Sequence, residues 1–176
     1  MLHTDFYPFP VLSTDRLILR ELLPTDDATI YQLRADPEVN KYLDRDPCTN
    51  LEAAQRFITA INNNVANAAT LYWAITANDA PDLIGTIGLW NFDADEDSVE
   101  IGYELLPSWQ GKGFIQEAMS AVLSFAFKKM HARKIAANVV PANLKSIQAL
   151  EKQGFQKVWP DGIAAEITFV LTATTV

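Results

Sequence analysis

The sequence has little of the chemistry that builds metal or redox centres. It contains one cysteine, Cys48, and two histidines, His3 and His131, among 176 residues. A lone thiol can form neither an internal disulfide nor a thiolate cage around a metal ion. The two histidines lie too far apart in sequence to indicate a histidine metal site. We therefore expect a protein that works without a metal ion.

Long apolar runs are also missing. The longest apolar segments, such as residues 121–127, are far shorter than the roughly 20 residues that cross a bilayer. Residues 1–15 do not combine a basic flank with a long apolar stretch, as a secretory signal would. These absences predict a cytoplasmic protein with no membrane segment.

Basic side chains are scarce relative to acidic ones. The chain has 14 Lys and Arg against 22 Asp and Glu, for a formal net charge of −8. Binding to nucleic acid relies on clustered Lys and Arg against phosphates, so this balance argues against a nucleic-acid partner. A small cationic or neutral partner is easier to accommodate.

The remaining composition is that of a globular protein. Apolar residues make up 49% of the chain and charged residues 20%, which is typical of a single domain over residues 1–176. The apolar period predicts seven strands, at residues 16–23, 71–76, 83–92, 98–106, 134–140, 155–159 and 165–172. It predicts four helices, at residues 24–35, 51–68, 115–130 and 144–153. Because the connections are short, we expect an α+β fold with a mixed, mostly antiparallel sheet.

The segment PSWQGKGFI, at residues 107–115, joins a predicted strand to a predicted amphipathic helix. Gly111 and Gly113 would let backbone N–H groups converge on a phosphate at the start of the helix. The alternative is a tight turn that needs glycine only for its backbone dihedrals. A P-loop is excluded, because Leu106 and Gly113 stand where that motif needs Gly and then Ser or Thr. A dinucleotide fingerprint lacks its third glycine, since Gln116 stands there.

Several ordered motifs place this turn in a family context. The sequence reads TDRLILR at 14–20, EIGY at 100–103, QGKG at 110–113, NLKS at 143–146 and KQGF at 152–155. Together these motifs resemble those of the GNAT acetyltransferases of the RimJ/RimL type, over nearly the whole chain. The resemblance implies the GNAT fold, acetyl-CoA as co-substrate, and direct transfer of the acetyl group to an amine without a covalent enzyme intermediate.

The resemblance also implies which residues bind acetyl-CoA. In that family a Gln/Arg-x-x-Gly-x-Gly/Ala turn holds the pyrophosphate. The matching residues here are Gln110, Gly111, Lys112, Gly113, Phe114 and Ile115, the last at a position where Gly or Ala is commoner. The family separates its fourth and fifth strands so that pantetheine pairs with the fourth, which implies a backbone contact from Leu105. Asn143 would bind the pantetheine arm, and helix capping is its alternative role.

Acetyl transfer needs a neutral amine and a proton donor for the departing thiolate. Strand alternation places Glu100, Gly102 and Glu104 on one face, where the glycine between two glutamates predicts close approach by a ligand. Glu100 is the candidate base, acting directly or through water, and a solvated strand face is the alternative. Glu166 is a rival base.

A proton donor is harder to find. Many GNAT enzymes carry a tyrosine general acid in the short helix, but the matching residue here is Leu150. By resemblance to RimL-like members, Ser146 is the candidate acid or thiolate-stabilising hydroxyl, and support of the helix start is its alternative role. The four tryptophans are expected in the core, with one or two at the acceptor cleft: Trp73, Trp90, Trp109 and Trp159.

The acceptor implied by the resemblance is the N-terminal α-amine of a ribosomal protein. An α-amine with a pKa of about 7.7–8.0 is partly neutral at pH 7, which suits a modest carboxylate base. The alternatives are a small-molecule acceptor, such as a polyamine, amino acid or antibiotic, and a noncatalytic acyl-CoA-binding module. Residues 1–105 carry a net charge of −12 and residues 106–159 one of +6, which fits a cationic amine and an anionic co-substrate. The pattern leaves a monomer or a homodimer open.

Overall fold

The computed structural model describes residues 1–158 and 165–173. The strands within these ranges are β1 (Leu12–Ser13), β2 (Leu17–Glu21), β3 (Leu71–Ala77), β4 (Ala80–Asp93), β5 (Ser98–Leu105), β6 (Lys134–Val139), β7 (Gln156–Val158) and β8 (Ile167–Thr172). The α-helices are α1 (Asp27–Ala35), α2 (Pro37–Asn40), α3 (Leu51–Ala66), α4 (Phe114–Lys128) and α5 (Leu144–Lys152). Short 3-10 turns at Pro24–Asp26 and Pro107–Trp109 lead towards α1 and α4.

All eight described strands form one sheet, in the order β1-β2-β3-β4-β5-β6-β8-β7. Every neighbouring pair is antiparallel except β5 and β6, which are parallel. The α+β class and the mixed, mostly antiparallel sheet are therefore confirmed. The described residues hold one more strand and one more helix than predicted, because β1 and α2 are too short to show a period.

The boundaries of several elements differ from the prediction. The helix predicted to reach residue 68 ends at Ala66, and Ala68 has a φ of 54°, which no helix residue adopts. The strand predicted at 155–159 is observed as Gln156–Val158, and Trp159 lies outside the described residues. The last strand begins at Ile167 rather than at residue 165.

The two faces of the sheet are covered by different helices. Helices α4 and α5 pack on one face, and six of the seven residues of the predicted α4 stripe are buried there: Ala118, Met119, Val122, Leu123, Ala126 and Met130. Helices α1 and α3 cover part of the other face. The alternation predicted for β5 is observed, since Val99, Ile101 and Leu105 are buried while Glu100 and Glu104 are only partly buried.

The sheet opens at its one parallel pair. Strand β5 pairs with β6 at only three positions, the last of which joins Glu100 to Ala136. Both strands continue, to Leu105 and Val139, without further pairing between them. The separation of strands implied by the family resemblance is thus present, and it begins immediately after Glu100.

Candidate active site

The gap between β5 and β6 exposes one edge of the β5 backbone. The N–H of Leu106 donates to a β4 carbonyl over 2.9 Å. Because the backbone groups of successive strand residues point in opposite directions, those of Leu105, Tyr103 and Ile101 face the gap. The carbonyl of Leu105 accepts a 3.0 Å hydrogen bond from Gln110 Nε2. The gap can therefore receive an extended ligand that pairs with β5 as a strand would.

A cleft of about 720 Å³ joins this gap to the face of the sheet beneath α1 and α3. Trp90 lies opposite Glu100 in the β4–β5 register, at the closed end of the gap. Glu104 lies four residues further along β5, with Arg34 and Arg45 beside it. The volume suits a small molecule or a few residues of a peptide.

Glu100 stands at the point where the strands separate. Its carboxylate lines the cleft and is partly buried. Within the described residues it makes no ion pair and no side-chain hydrogen bond of the lengths that define them. A carboxylate in this state is available to a ligand.

Gly102 has a different neighbour from the one expected. A Cβ built at Gly102 would overlap the indole of Trp90, which extends over Gly102 from the neighbouring strand β4. The glycine therefore accommodates the Trp90 ring rather than the approach of a ligand. The ring in turn forms part of the cleft wall next to Glu100.

Glu104 is held by two arginines. Its oxygens accept hydrogen bonds of 2.7 and 3.1 Å from Arg45, whose Nε also donates to Asn40 over 2.7 Å. The guanidinium of Arg34 is 4.0 Å from Glu104 and stacks 3.9 Å above the ring of Phe57. Burial, followed by the charge of Arg45, lowers the pKa of Arg34. Unlike Glu100, Glu104 is therefore committed to protein partners.

Ser146 and Asn143 lie across the gap, at the start of α5. Asn143 caps the helix, since its Oδ1 accepts a 3.2 Å hydrogen bond from the Ser146 N–H. The hydroxyl of Ser146 lies 2.9 Å from the phenol oxygen of Tyr103 on β5. Burial, partly offset by the hydrogen bond with Ser146, raises the pKa of Tyr103 to about 12. Tyr103 is thus a neutral hydroxyl at physiological pH, able to donate or accept.

The two remaining candidates at the gap differ in exposure. Leu150, which stands where many family members have tyrosine, is fully buried and lines the cleft. Glu166 precedes β8 and is exposed at the cleft margin. Its strand neighbour Ile167 pairs with Val139, so Glu166 lies near the wide end of the gap and far along the sheet from Glu100. Since leucine has no hydroxyl, Ser146 and Tyr103 supply the hydroxyls among the cleft-lining residues of β5 and α5.

The glycine turn stands at the wide end of the gap. Gly111 and Gly113 have φ values of 75° and 81°, a region that favours glycine. Gly113 is the N-cap of α4, and no side chain caps the helix there. The first N–H groups of α4, from Phe114 onwards, consequently point out of the helix end without a capping side chain, as an anion-binding site requires.

Side chains around the turn connect it to both sides of the gap. Besides bonding to Leu105, Gln110 accepts a 3.4 Å hydrogen bond from Lys145 of α5. Lys112 instead bonds to the carbonyl of Ser108 over 2.8 Å, and its ammonium lies 5.6 Å from the Trp109 ring. Both lysines add positive charge beside the glycine turn.

Arg16 and Glu117 brace the turn from the side. Arg16 donates to the carbonyl of Lys112 over 3.1 Å and lies 4.3 Å above the ring of Phe114. Glu117 accepts hydrogen bonds from Arg16 and from the hydroxyl of Thr14. Burial raises the pKa of Glu117, but these hydrogen bonds outweigh it and the pKa is lowered. Thr14 and Arg16, the first and third residues of the TDRLILR motif, thus support the glycine turn.

The tryptophans divide between the core and the cleft. Trp73 is fully buried and donates to the carbonyl of Pro10 over 2.7 Å. Trp90 lines the cleft, and Trp109 packs edge-on against Phe114 beside the turn.

Among residues 1–158 and 165–173, no group of three His, Cys, Asp or Glu side chains could hold a metal ion, and no helix is long and apolar enough to span a bilayer.

The sequence from residue 16 to residue 156 matches the family model of the acetyltransferase (GNAT) domain. The chain belongs to the GNAT family. As a GNAT protein with the open β5–β6 gap, it is an acyltransferase, an N-acetyltransferase that uses acetyl-CoA. The uncharacterized N-acetyltransferase YoaA of Bacillus subtilis (strain 168) is 34% identical over 149 residues, which cover 85% of this chain and 84% of that protein.

Two other similar proteins are named for different acceptors. The [ribosomal protein uS5]-alanine N-acetyltransferase of Escherichia coli (strain K12) is 29% identical over 98 residues, or 55% of this chain and 50% of that protein. A spermidine N-acetyltransferase from Vibrio cholerae, solved with CoA and spermine, has a TM-score of 0.77 at 20% identity, covering 90% of this chain and 96% of that chain. At that identity, the likeness of the two structures shows the fold alone.

Four residues that the structure brings to the site are not predicted by the sequence pattern: Tyr103, Arg16, Arg34 and Arg45. Tyr103 falls on the apolar face of β5 by alternation, which hides its contact with Ser146. Arg16 belongs to the TDRLILR motif at residues 14–20, and this motif is the sequence signal that could have indicated its role. Arg34 and Arg45 carry no local pattern, since their partner Glu104 lies 59 residues after Arg45 and further still from Arg34.

Proposed function

We propose that this GNAT enzyme acetylates the N-terminal α-amine of a ribosomal protein in the cytoplasm, as enzymes of the RimJ/RimL type do. The observation that carries the proposal is the position of Glu100, the last residue to pair before β5 and β6 separate. A carboxylate without a protein partner among the described residues stands there, between the cleft and the gap. A thioester in the gap and an amine in the cleft would meet beside it.

The residues present fit the parts of acetyl-CoA. The pyrophosphate would lie on the N–H groups after Gly113, with the turn from Gln110 to Ile115 around it. The N–H of Leu105 faces the gap and would bond to the pantetheine arm. The Oδ1 of Asn143 is used by the helix cap, which leaves its amide nitrogen to donate to a pantetheine carbonyl. A positive segment around Lys112 and Lys145 favours the phosphates.

The reaction is a direct displacement within a ternary complex. Glu100 accepts the proton of the acceptor ammonium, directly or through water, and frees the nitrogen lone pair. The C–N bond would form as the thioester C–S bond breaks, and sulfur would depart as a thiolate. The nitrogen would lose its second proton to solvent as it becomes the amide. Ser146, positioned by Tyr103, hydrogen-bonds to the thiolate and passes it a proton that solvent replaces. No metal ion takes part in this scheme.

The choice of acceptor rests on two supports. One similar protein is named for acetylating the alanine terminus of a ribosomal protein. A terminal α-amine has a pKa of about 7.7–8.0, so a single carboxylate can complete its deprotonation near neutral pH. Lysine and polyamine nitrogens, with pKa values nearer about 10.4, place a larger demand on the base.

Intact-mass analysis with a panel of acceptors tests the proposal. The purified protein is incubated with acetyl-CoA and with peptides that copy ribosomal N-termini, lysine peptides with blocked N-termini, or spermidine. We expect one acetyl group on the free N-termini, with matching release of CoA. Acetylation of spermidine alone would assign a small-molecule acceptor. If acetyl-CoA raises the melting temperature but no amine gives thiol release, the chain is a noncatalytic binding module.

A further inference from the structure

The two ends of the cleft differ in charge. At the closed end, Glu100 carries a negative charge beside Trp90. At the other end, two arginines share one carboxylate, that of Glu104. Asp44 also lines this end, but it is within ion-pair distance of neither arginine. At the second end, therefore, Arg45 is hydrogen-bonded to a carboxylate and Arg34, within residues 1–158 and 165–173, is not.

In the described part of the chain, the cleft arginine without a hydrogen-bonded carboxylate is Arg34. Arg45 spends its donors on Glu104 and Asn40. The guanidinium of Arg34 only approaches Glu104 at 4.0 Å, and within the described residues it donates no hydrogen bond. Its guanidinium carbon lies 3.9 Å from the centre of the Phe57 ring, and its side chain keeps 20% of its surface exposed. A planar guanidinium held this way presents its N–H groups to a ligand in the cleft.

A carboxylate is the ligand group that this arrangement fits. Guanidinium binds carboxylate through two parallel hydrogen bonds, and a partly buried site strengthens them. Lowering of the Arg34 pKa by burial and by Arg45 indicates a cation that an added anion would stabilise. A polyamine would meet repulsion from Arg34 instead.

The spacing of the two ends gives the length of the acceptor. Residues four apart on one strand face are roughly 13 Å apart, and a ligand group hydrogen-bonded at each end would lie about 3 Å inside it, which leaves about 7–10 Å between the two ligand groups. An extended peptide advances about 3.3 Å per residue, so the third residue begins about 7 Å from the α-amine, and the carboxylate that ends a tripeptide lies about 10 Å from it.

We propose that Arg34 is a specificity residue that binds a carboxylate on the third residue of the acceptor, while the amine lies at Glu100. The carboxylate has two possible sources: an acidic third side chain in a longer N-terminus, or the terminal carboxylate of a tripeptide. This inference rests on the proposed function, because it assumes that an α-amine enters at Glu100. It selects acidic N-termini over neutral ones and over polyamines.

Paired peptides test it. Hexapeptide amides that differ only in Glu or Gln at the third position are compared by kcat/KM, alongside trialanine and trialanine amide. We expect the wild type to prefer the Glu peptide by at least about 10-fold, as a charge-assisted bidentate contact implies. Trialanine over its amide would show the same preference if a terminal carboxylate is accepted, and no preference if the site needs a side chain.

Variants assign the preference to Arg34. Arg34→Met should bring the Glu/Gln ratio close to one, Arg34→Lys should keep part of it, and Arg34→Glu should favour a Lys third residue. Each ratio is measured on one preparation, so partial unfolding of a variant cancels. Arg56→Met, on the exposed face of α3 outside the cleft, is the matched control and should keep the wild-type ratio.

The outcomes separate this inference from the proposed function. Equal kcat/KM for Glu and Gln peptides in the wild type, or a preference that survives Arg34→Met, overturns the inference alone. Acetylation of spermidine and of no peptide overturns both. Calorimetric titration of the two hexapeptides into the CoA complex gives the same comparison without turnover, and equal affinities there also overturn the inference.

Discussion

The phenol oxygen of Tyr103 on β5 lies 2.9 Å from the hydroxyl oxygen of Ser146 on α5. Ser146 belongs to the first turn of α5, where Asn143 caps the helix. Tyr103 comes from the strand edge that faces the gap. The pair therefore joins the two walls between which the thioester would lie, and it holds the serine oxygen beside the gap.

This pair predicts unequal effects of two single substitutions. Ser146→Ala should lower kcat by about 100-fold, the usual range for loss of a proton donor, with little change in the KM for acetyl-CoA. Tyr103→Phe keeps the serine but frees its rotor, so we expect a loss nearer about 10-fold. Steady-state kinetics with saturating peptide measure both. Ser124→Ala, on the exposed face of α4, is the control. A larger effect of Tyr103→Phe would reverse the two roles.

Binding of acetyl-CoA should depend on the neutrality of position 113. Gly113→Asp places a carboxylate beside the uncapped start of α4, where it would fill the anion site and repel phosphate, so the Kd for CoA should rise at least about 10-fold. Gly113→Asn is the matched control, because Asn has the same size and tolerates positive φ. Calorimetry measures both variants. Equal weakening by Asp and Asn would mean that geometry rather than charge decides the affinity.

Glu117 should stabilise the fold in a pH-dependent way. Its pKa is lowered in the folded state, so its contribution is complete above its ordinary pKa and is lost as the pH falls through the folded one. Glu117→Gln should lower the free energy of unfolding at pH 7 by about 1–2 kcal/mol, because it weakens hydrogen bonds to a charged group. The loss stays small because Arg16 is half-exposed and solvent screens the ion pair.

Urea unfolding at several pH values measures this difference. The difference in the free energy of unfolding between wild type and Glu117→Gln should become smaller as the pH drops below about 4. Glu151→Gln, which replaces an exposed glutamate on α5, should have the same free energy of unfolding as wild type at every pH. A difference for Glu117→Gln that stays constant down to pH 3 would mean that packing rather than charge holds Thr14, Arg16 and Glu117 together.

Most of the fold could be predicted because its elements are long and periodic. Ala118, Met119 and Val122 repeat at helical spacing, and Val99 and Ile101 alternate with Glu100 along a strand. The two-residue β1 and four-residue α2 are shorter than any period and were missed. The separation of β5 from β6 came from the family resemblance, since no local pattern shows where pairing stops.

The site was predictable only where residues act through the backbone or a motif. The positive φ values of Gly111 and Gly113 are those that the glycine turn predicts. Asn143 caps α5, which is the alternative role predicted for it. Long-range contacts could not be predicted: Tyr103 meets Ser146 43 residues later, and Arg45 meets Glu104 59 residues later. Gly102 looked like a ligand approach, but its free space is taken by Trp90 from the neighbouring strand.

The central claim is that Glu100 takes the proton of an α-amine at the point where β5 and β6 separate. The most direct test is kcat/KM for acetylation of an N-terminal peptide by wild type and Glu100→Gln, from about pH 6 to about pH 9. We expect Glu100→Gln to be about 100-fold slower near neutrality, with unchanged affinity for CoA, and the ratio to shrink as the amine loses its proton unaided. Equal rates for the two enzymes over the whole range would contradict the account.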